Sequence, residues 1–237
     1  MIKYIYKDKE IVAQKFADSL VEKINTSEVF HWSLSGGSTP KLLFSLLAER
    51  YVDKIEWNKV HFYWGDERCV PPTDEDSNYK MTKERLFDPL NIAEKNIHRI
   101  MGESEPAAEA KRHEEELKNS LPLNEAGLPV FDLIMLGMGD DGHTVSIFPH
   151  EMQLLDSNNI CEVATHPISG QKRITITGKV INAAKEIAFL VTGENKAEKI
   201  DDIFYGKERS KTYPANHIKP VSGKLAWYLD SEAASQL

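Results

Sequence analysis

The chain has 237 residues, 41% hydrophobic and 28% charged, the composition of an ordinary globular protein that needs no staples. Its 29 Lys and Arg against 37 Asp and Glu leave a net charge of −8, which argues against a general nucleic-acid binder but not against a local anion site. Cys69 and Cys161 make neither a disulfide framework nor a CxxC zinc site, no apolar run approaches the ~20 residues of a membrane span, and no signal peptide is evident, so a reducing cytoplasm is the expected compartment.

Strand-like and helix-like segments alternate along the chain. Val29 to Leu34 is rich in strand formers and stops at Ser35-Gly36-Gly37-Ser38-Thr39-Pro40. Leu42, Leu43, Leu46 and Leu47 then share one helical face, with Thr39 the expected N-cap and Pro40 the first helical residue. Val60, Phe62 and Trp64 alternate with His61 and Tyr63 as a strand that ends at Gly65-Asp66-Glu67-Arg68. A helix is expected from Ser77 to Asp88-Pro89, and another from Pro106 to about Asn119. Val130 to Leu136 reads as a buried strand running into Gly137-Met-Gly-Asp-Asp-Gly-His143. Arg173 to Thr177 is a strand, Val180 to Lys185 a short helix, and Ile187 to Thr192 a strand. A helix after Lys196, a strand over Lys224 to Leu229 and a short terminal helix complete the chain. This alternation predicts an α/β fold with a mostly parallel sheet, in one domain without a linker. Ligands gather at the carboxyl ends of such strands, which is where Ser35 to Thr39, Asp66 to Arg68, Asp141 to His143 and Lys196 fall.

Each of these groups has a chemistry of its own. Gly36 and Gly37 let backbone N–H groups approach an anion, the helix start adds positive partial charge, and Ser38 and Thr39 add hydroxyls. An ordinary tight turn would look the same. Lys41 does not meet the Walker A spacing. Gly137-x-Gly139-x-x-Gly142 matches the dinucleotide fingerprint, but Asp140 and Asp141 would repel a pyrophosphate and Pro149 cuts short any long helix after it. Asp141 two residues before His143 can orient an imidazole for proton transfer near neutral pH. A metal is disfavoured, because Asp140, Asp141 and His143 lack a distant partner cluster. Arg68 suits forked contact with phosphate, Lys196 is a second candidate cation, and Arg173 is equally open to a surface role. No GxSxG elbow exists, and Cys69 beside Asp66 and Glu67 is a poor nucleophile.

The blocks SGGSTPKLL, WGDERCVPPTDEDSNYKMTKERL, DLIMLGMGDDGHTVSIFP, RITITGKVINAAKE, VTGENKAEKI and GKLAWYLD, in this order from about Leu34 onward, resemble the 6-phosphogluconolactonase family of compact α/β type. The resemblance implies a single Rossmann-like domain over residues 1–237, of the kind shared with glucosamine-6-phosphate deaminase. It implies hydrolysis of 6-phospho-D-glucono-1,5-lactone in the oxidative pentose phosphate pathway, with no metal and no organic cofactor. The implied partner is the sugar-phosphate lactone alone, with no nucleic acid, membrane or obligate protein partner. His143 matches the catalytic base, Asp141 its support, and Asp66 the carboxylate at a second strand end. Gly36, Gly37, Ser38, Thr39, Arg68 and Lys196 match substrate- and phosphate-binding positions, with Arg173 a further addition. Asn78 lies in the SNY motif without an assigned role. In the related deaminase a glutamate follows the motif histidine by five residues, where this chain has Phe148, so the deaminase is the second reading. A non-catalytic sugar-phosphate sensor is the third, and it would have no need of His143.

Overall fold

Runs of apolar residues that can be buried on both faces form the centre of the molecule. The computed structural model describes Met1–Leu237. Its strands are β1 (Ile2–Tyr6), β2 (Phe30–Leu34), β3 (Val60–Trp64), β4 (Asp66–Arg68), β5 (Leu133–Leu136), β6 (Cys161–Thr165), β7 (Lys172–Ile176), β8 (Ile187–Val191) and β9 (Leu225–Asp230). Its helices are α1 (Lys9–Asn25), α2 (Ser38–Arg50), α3 (Asn78–Thr82), α4 (Asp88–Leu90), α5 (Pro106–Ser120), α6 (Gly178–Asn182) and α7 (Ala197–Phe204). Six strands pair in the order β1-β9-β8-β5-β2-β3, every pair parallel. Every residue of β5, β8 and β9 is buried, as strands covered on both sides require. β4, β7 and β6 form a separate antiparallel sheet. Gly65 links the two, because its N–H donates to Leu34 and its carbonyl accepts from Ile176.

Packing follows the helical period. α1 buries Val12, Ala13, Phe16, Ala17, Leu20 and Ile24, and Asp8 caps it by accepting from the Ile11 N–H at 2.9 Å. Trp32 of β2 meets Phe16 of α1 and Phe44 of α2, with ring centroids 6.5 and 6.4 Å apart. From β2 the chain proceeds to β3 on one side, whereas from β5 it proceeds to β8 and β9 on the other. The strand order therefore reverses between β2 and β5. A crevice opens at the carboxyl ends of strands at such a point.

Several local expectations need correcting. Gly37, not Thr39, caps α2: its φ of 108° suits glycine, and Pro40 lies in the first turn, where its missing N–H costs no helical bond. The helix that starts after Ser77 continues past Pro89 through a π turn, Lys83–Phe87, into α4, and ends at Asn91 in the left-handed conformation. The wider turn accommodates the donor that proline lacks, and the Ile92 N–H bonds back to Phe87. Asp66–Arg68 is a short strand and not a loop, and the buried strand begins at Leu133. The residues after Asp230 make turns rather than a helix.

Candidate active site

The loop after β5 carries an imidazole in a fixed orientation. His143 Nδ1 lies 2.6 Å from Asp141 Oδ1, and the same oxygen accepts from the His143 backbone N–H at 3.0 Å. Burial pushes the Asp141 carboxyl up, but the hydrogen bond and charge of His143 outweigh it and bring the group down to about 2. An ionised Asp141 accepts a hydrogen bond from Nδ1–H and leaves Nε2 free. Of the glycines of the fingerprint match, Gly139 lies against this ring. A Cβ on Gly139 would stand 2.1 Å from the His143 Nδ1, and Gly142 has a φ of 84° against the Tyr213 ring. Phe148, fully buried, packs on the imidazole with centroids 4.7 Å apart. Between them Val145 holds a φ of 46°, a conformation costly for a β-branched residue, in a tight turn closed by the Ile147 N–H on Thr144.

His143 opens into a cleft of about 200 Å³, lined also by Asp66, Arg68, Asn78 and Arg173. Arg68 and Arg173 face each other directly across β4 and β7. Like charges so placed repel, and an anionic ligand between them relieves the repulsion. Both Nε atoms are buried without a partner. Burial lowers Arg173 against its ordinary value, although Asp66 raises it. Asp66 sits 3.9 Å from Arg173 and accepts from the Ser146 hydroxyl at 2.6 Å.

Asn78 now has a place. Its Nδ2 donates to the Asp66 carbonyl at 3.0 Å, and its Oδ1 fills the space where a Cβ of Gly36 would be. Gly36 is thus a close-approach glycine. The neighbouring Glu67 is buried and accepts from the N–H groups of Arg68, Asn78 and Tyr79 and from the Ser77 hydroxyl. It ties β4 to the start of α3. Burial raises its carboxyl above the ordinary range, with the backbone donors opposing.

A second cleft of about 190 Å³ adjoins the first, and the two share Gly36, Gly37, Gly137 and Met138. Ser38, Thr39, Thr192 and Lys196 line it. The Thr39 and Thr192 hydroxyls lie 2.8 Å apart. The first N–H groups of α2 have no acceptor inside the helix and point into this end. Lys196 is paired with Asp140, which also accepts from Asn195 at 2.7 Å. All the residues singled out in the sequence therefore gather at the β2–β5 reversal. Arg68 and Arg173 line one chamber beside His143, Lys196 lines the other by the helix start, and Asp141 stands behind His143.

Ser146, Thr192, Val145 and Asp140 were not singled out as site residues. The only sequence signal for the first three was their closeness to glycine-rich strand ends. Asp140 turns to Lys196 and Asp141 to His143, so the two carboxylates do not converge on a common point. Burial, and then Glu67, push the Cys69 thiol up to about 11, so it is no nucleophile.

Comparison with known proteins places the chain in one family. A family model described as glucosamine-6-phosphate isomerases/6-phosphogluconolactonase matches residues 7–227. The 6-phosphogluconolactonase of Haemophilus influenzae is 48% identical over 224 residues, 94% of each chain. A crystal structure described as devB protein superposes with a TM-score of 0.95 at 44% identity, covering 100% of this chain and 99% of that one. A monomeric glucosamine-6-phosphate deaminase superposes with a TM-score of 0.84 over 100% of both chains, at 20% identity, and shares the fold. The chain belongs to the family of glucosamine-6-phosphate isomerases and 6-phosphogluconolactonases.

Proposed function

We propose that this chain is a 6-phosphogluconolactonase, hydrolysing 6-phospho-D-glucono-1,5-lactone to 6-phosphogluconate in the pentose phosphate pathway. The observation that carries the reading is the Asp141–His143 pair, 2.6 Å apart, opening on a cleft next to a helix-start anion site. The similarity to the Haemophilus enzyme supports the same substrate.

In this reading the phosphate lies on Gly36, Gly37, Ser38 and Thr39 with Lys196, and anchors the far end of the lactone. Remote anchoring orients the reacting carbon. Neutral His143 takes a proton from water through Nε2, and the hydroxide forms a bond to C1. Arg68 and Arg173 hold the substrate at this end, where negative charge develops on the carbonyl oxygen. Asp66 orients Arg173. The imidazolium then returns its proton to the ring oxygen as the C1–O bond breaks. Asp141 stabilises the charged ring and keeps its tautomer. These steps use no metal or organic cofactor.

The whole chain, 1–237, acts as one domain, which the single hydrophobic core supports. The substrate is the only partner the reading requires. No helix is long and apolar enough to cross a membrane. The two free thiols support a reducing, cytoplasmic setting.

The deaminase reading is weaker for a chemical reason. Phe148 occupies the place of the carboxylate that assists ring opening, and it is buried against His143 and 5.7 Å from the Arg173 guanidinium. It can neither give nor take a proton. Ammonia and fructose 6-phosphate should stay at background when the protein is given glucosamine 6-phosphate. Phe148→Glu should not change that, because a new carboxylate there lacks the groups that would fix its position. Robust deamination by the unmodified protein would overturn the lactonase reading.

A further inference from the structure

Lys196 lines the cleft at the start of α2, yet its ammonium is already engaged. Asp140 Oδ1 pairs with it and at the same time accepts from Asn195 Nδ2 at 2.7 Å. The Lys196 side chain is 15% exposed, whereas that of Asp140 is 72% exposed. The carboxylate thus lies on the solvent side of a mostly covered cation. Asp140 also belongs to the loop that presents His143, one residue before Asp141.

We propose that Asp140 is an internal competitor at the phosphate site: an anion that occupies Lys196 until a more strongly charged ligand displaces it, and that thereby sets how tightly phosphate is held. This rests on the reading that the Gly36–Lys196 cleft takes the phosphate of the substrate. A lone ammonium beside a helix start attracts any small anion. With a carboxylate already on it, a ligand gains only the difference between its own attraction and that of Asp140. A phosphate dianion carries nearly twice the charge of the carboxylate and offers three oxygens to Lys196 and the α2 N–H groups. A neutral hydroxymethyl group offers neither. Asn195 keeps Asp140 in place, so the competitor is held in position rather than free in solvent. The same exchange loosens one tie of the 139–143 loop when phosphate enters, and so links occupancy of one chamber to the segment that carries His143.

The test uses inorganic phosphate as the probe, with the full-length protein and its Asp140→Asn variant. Calorimetric titration measures binding directly, and inhibition of lactone hydrolysis checks that the site is the same. Asp140→Asn should bind phosphate roughly 2- to 5-fold more tightly than the unmodified protein, the range of one partly exposed ion pair removed. Asn195→Ala should shift binding in the same direction by less. Glu194→Gln removes a nearby charge that makes no ion pair with Lys196, and should change phosphate affinity less than twofold. Unchanged or weaker binding by Asp140→Asn overturns the proposal, since Asp140 would then position Lys196 instead of competing with the ligand. An equal gain from Glu194→Gln also overturns it, by reducing the effect to general charge. If no protein binds phosphate while lactone turnover persists, the assignment of this cleft falls and the proposal with it, but lactone hydrolysis stands.

Discussion

At the scale of single residues, the proposed chemistry rests on His143 and Asp141. His143→Ala should fold normally and lose about 10²–10⁴-fold in kcat for the lactone, the usual share of a positioned acid and base. Steady-state rates corrected for spontaneous hydrolysis measure this. Asp141→Asn keeps the shape but offers Nδ1–H a poorer acceptor, so kcat should fall by at least about 10²-fold. The folded Asp141 carboxyl lies at about 2, below its unfolded value. Its stabilising contribution is therefore complete above the unfolded pKa near about 4 and is lost as the pH falls toward the folded one. The two chambers make different demands on their cations. Lys196→Ala should raise KM for the phosphorylated lactone and spare plain gluconolactone. Arg68→Ala, beside His143, should lower kcat/KM for both. Equal losses on both substrates for Lys196→Ala would remove it from phosphate recognition. His143, Asp141, Arg68 and Lys196 could be read from the sequence because their residue types already carry a chemistry. Asn78 could not, since its use depends on a Gly36 that lies far away in the chain.

At the scale of elements, the helices and strands do more than position side chains. Glu67 accepts four hydrogen bonds, three of which join β4 to the start of α3, and its carboxylate is almost fully buried. Glu67→Ala leaves those donors without partners and should cost about 2–4 kcal/mol of unfolding free energy. A urea titration with an unchanged slope would report it, and a loss below about 1 kcal/mol would mean that water replaces the carboxylate. On α5, His113 is completely buried with neither ring nitrogen paired, and burial, aided by Arg112 and His98, lowers it to about 3. The unfolded chain binds a proton on this ring below about pH 6.5 and the folded chain does not. Stability must then fall as the pH drops through that range, by about 2 kcal/mol at pH 5 from this group. His113→Leu should remove that part of the decline, and urea titrations of both proteins at pH 7.5 and 5 compare the two slopes. The strands β2, β3, β5 and β8 were legible from their apolar runs. β1, α1 and β6 were not. β1 is an exposed edge whose residues have no alternating pattern, α1 mixes its buried stripe with charges, and β6 is only partly covered. β4 has just three residues, all of them charged, and it exists because β7 offers it partners.

At the scale of the whole molecule, the parallel sheet brings loops from distant parts of the chain to one edge, and the order reversal between β2 and β5 opens the crevice. The antiparallel β4-β7-β6 sheet then adds two cations to the Lys196 supplied after β8, by placing Arg68 opposite Arg173. Sequence order could indicate that Asp66 to Arg68 and Arg173 matter, but not that they meet, because strand pairing across about a hundred residues leaves no local signal. The net charge of −8 did not indicate the site, since a few cations at one crevice act locally against the overall sign. The central claim is that His143 in this crevice opens a phosphorylated lactone. It is tested most directly by proton release, followed in a pH-stat, from freshly generated 6-phospho-D-glucono-1,5-lactone with the unmodified protein and with His143→Ala. The account predicts release far above the spontaneous rate for the first and a fall of about 10²-fold or more for the second. Release at the spontaneous rate from the unmodified protein, or equal rates from both proteins, would contradict it.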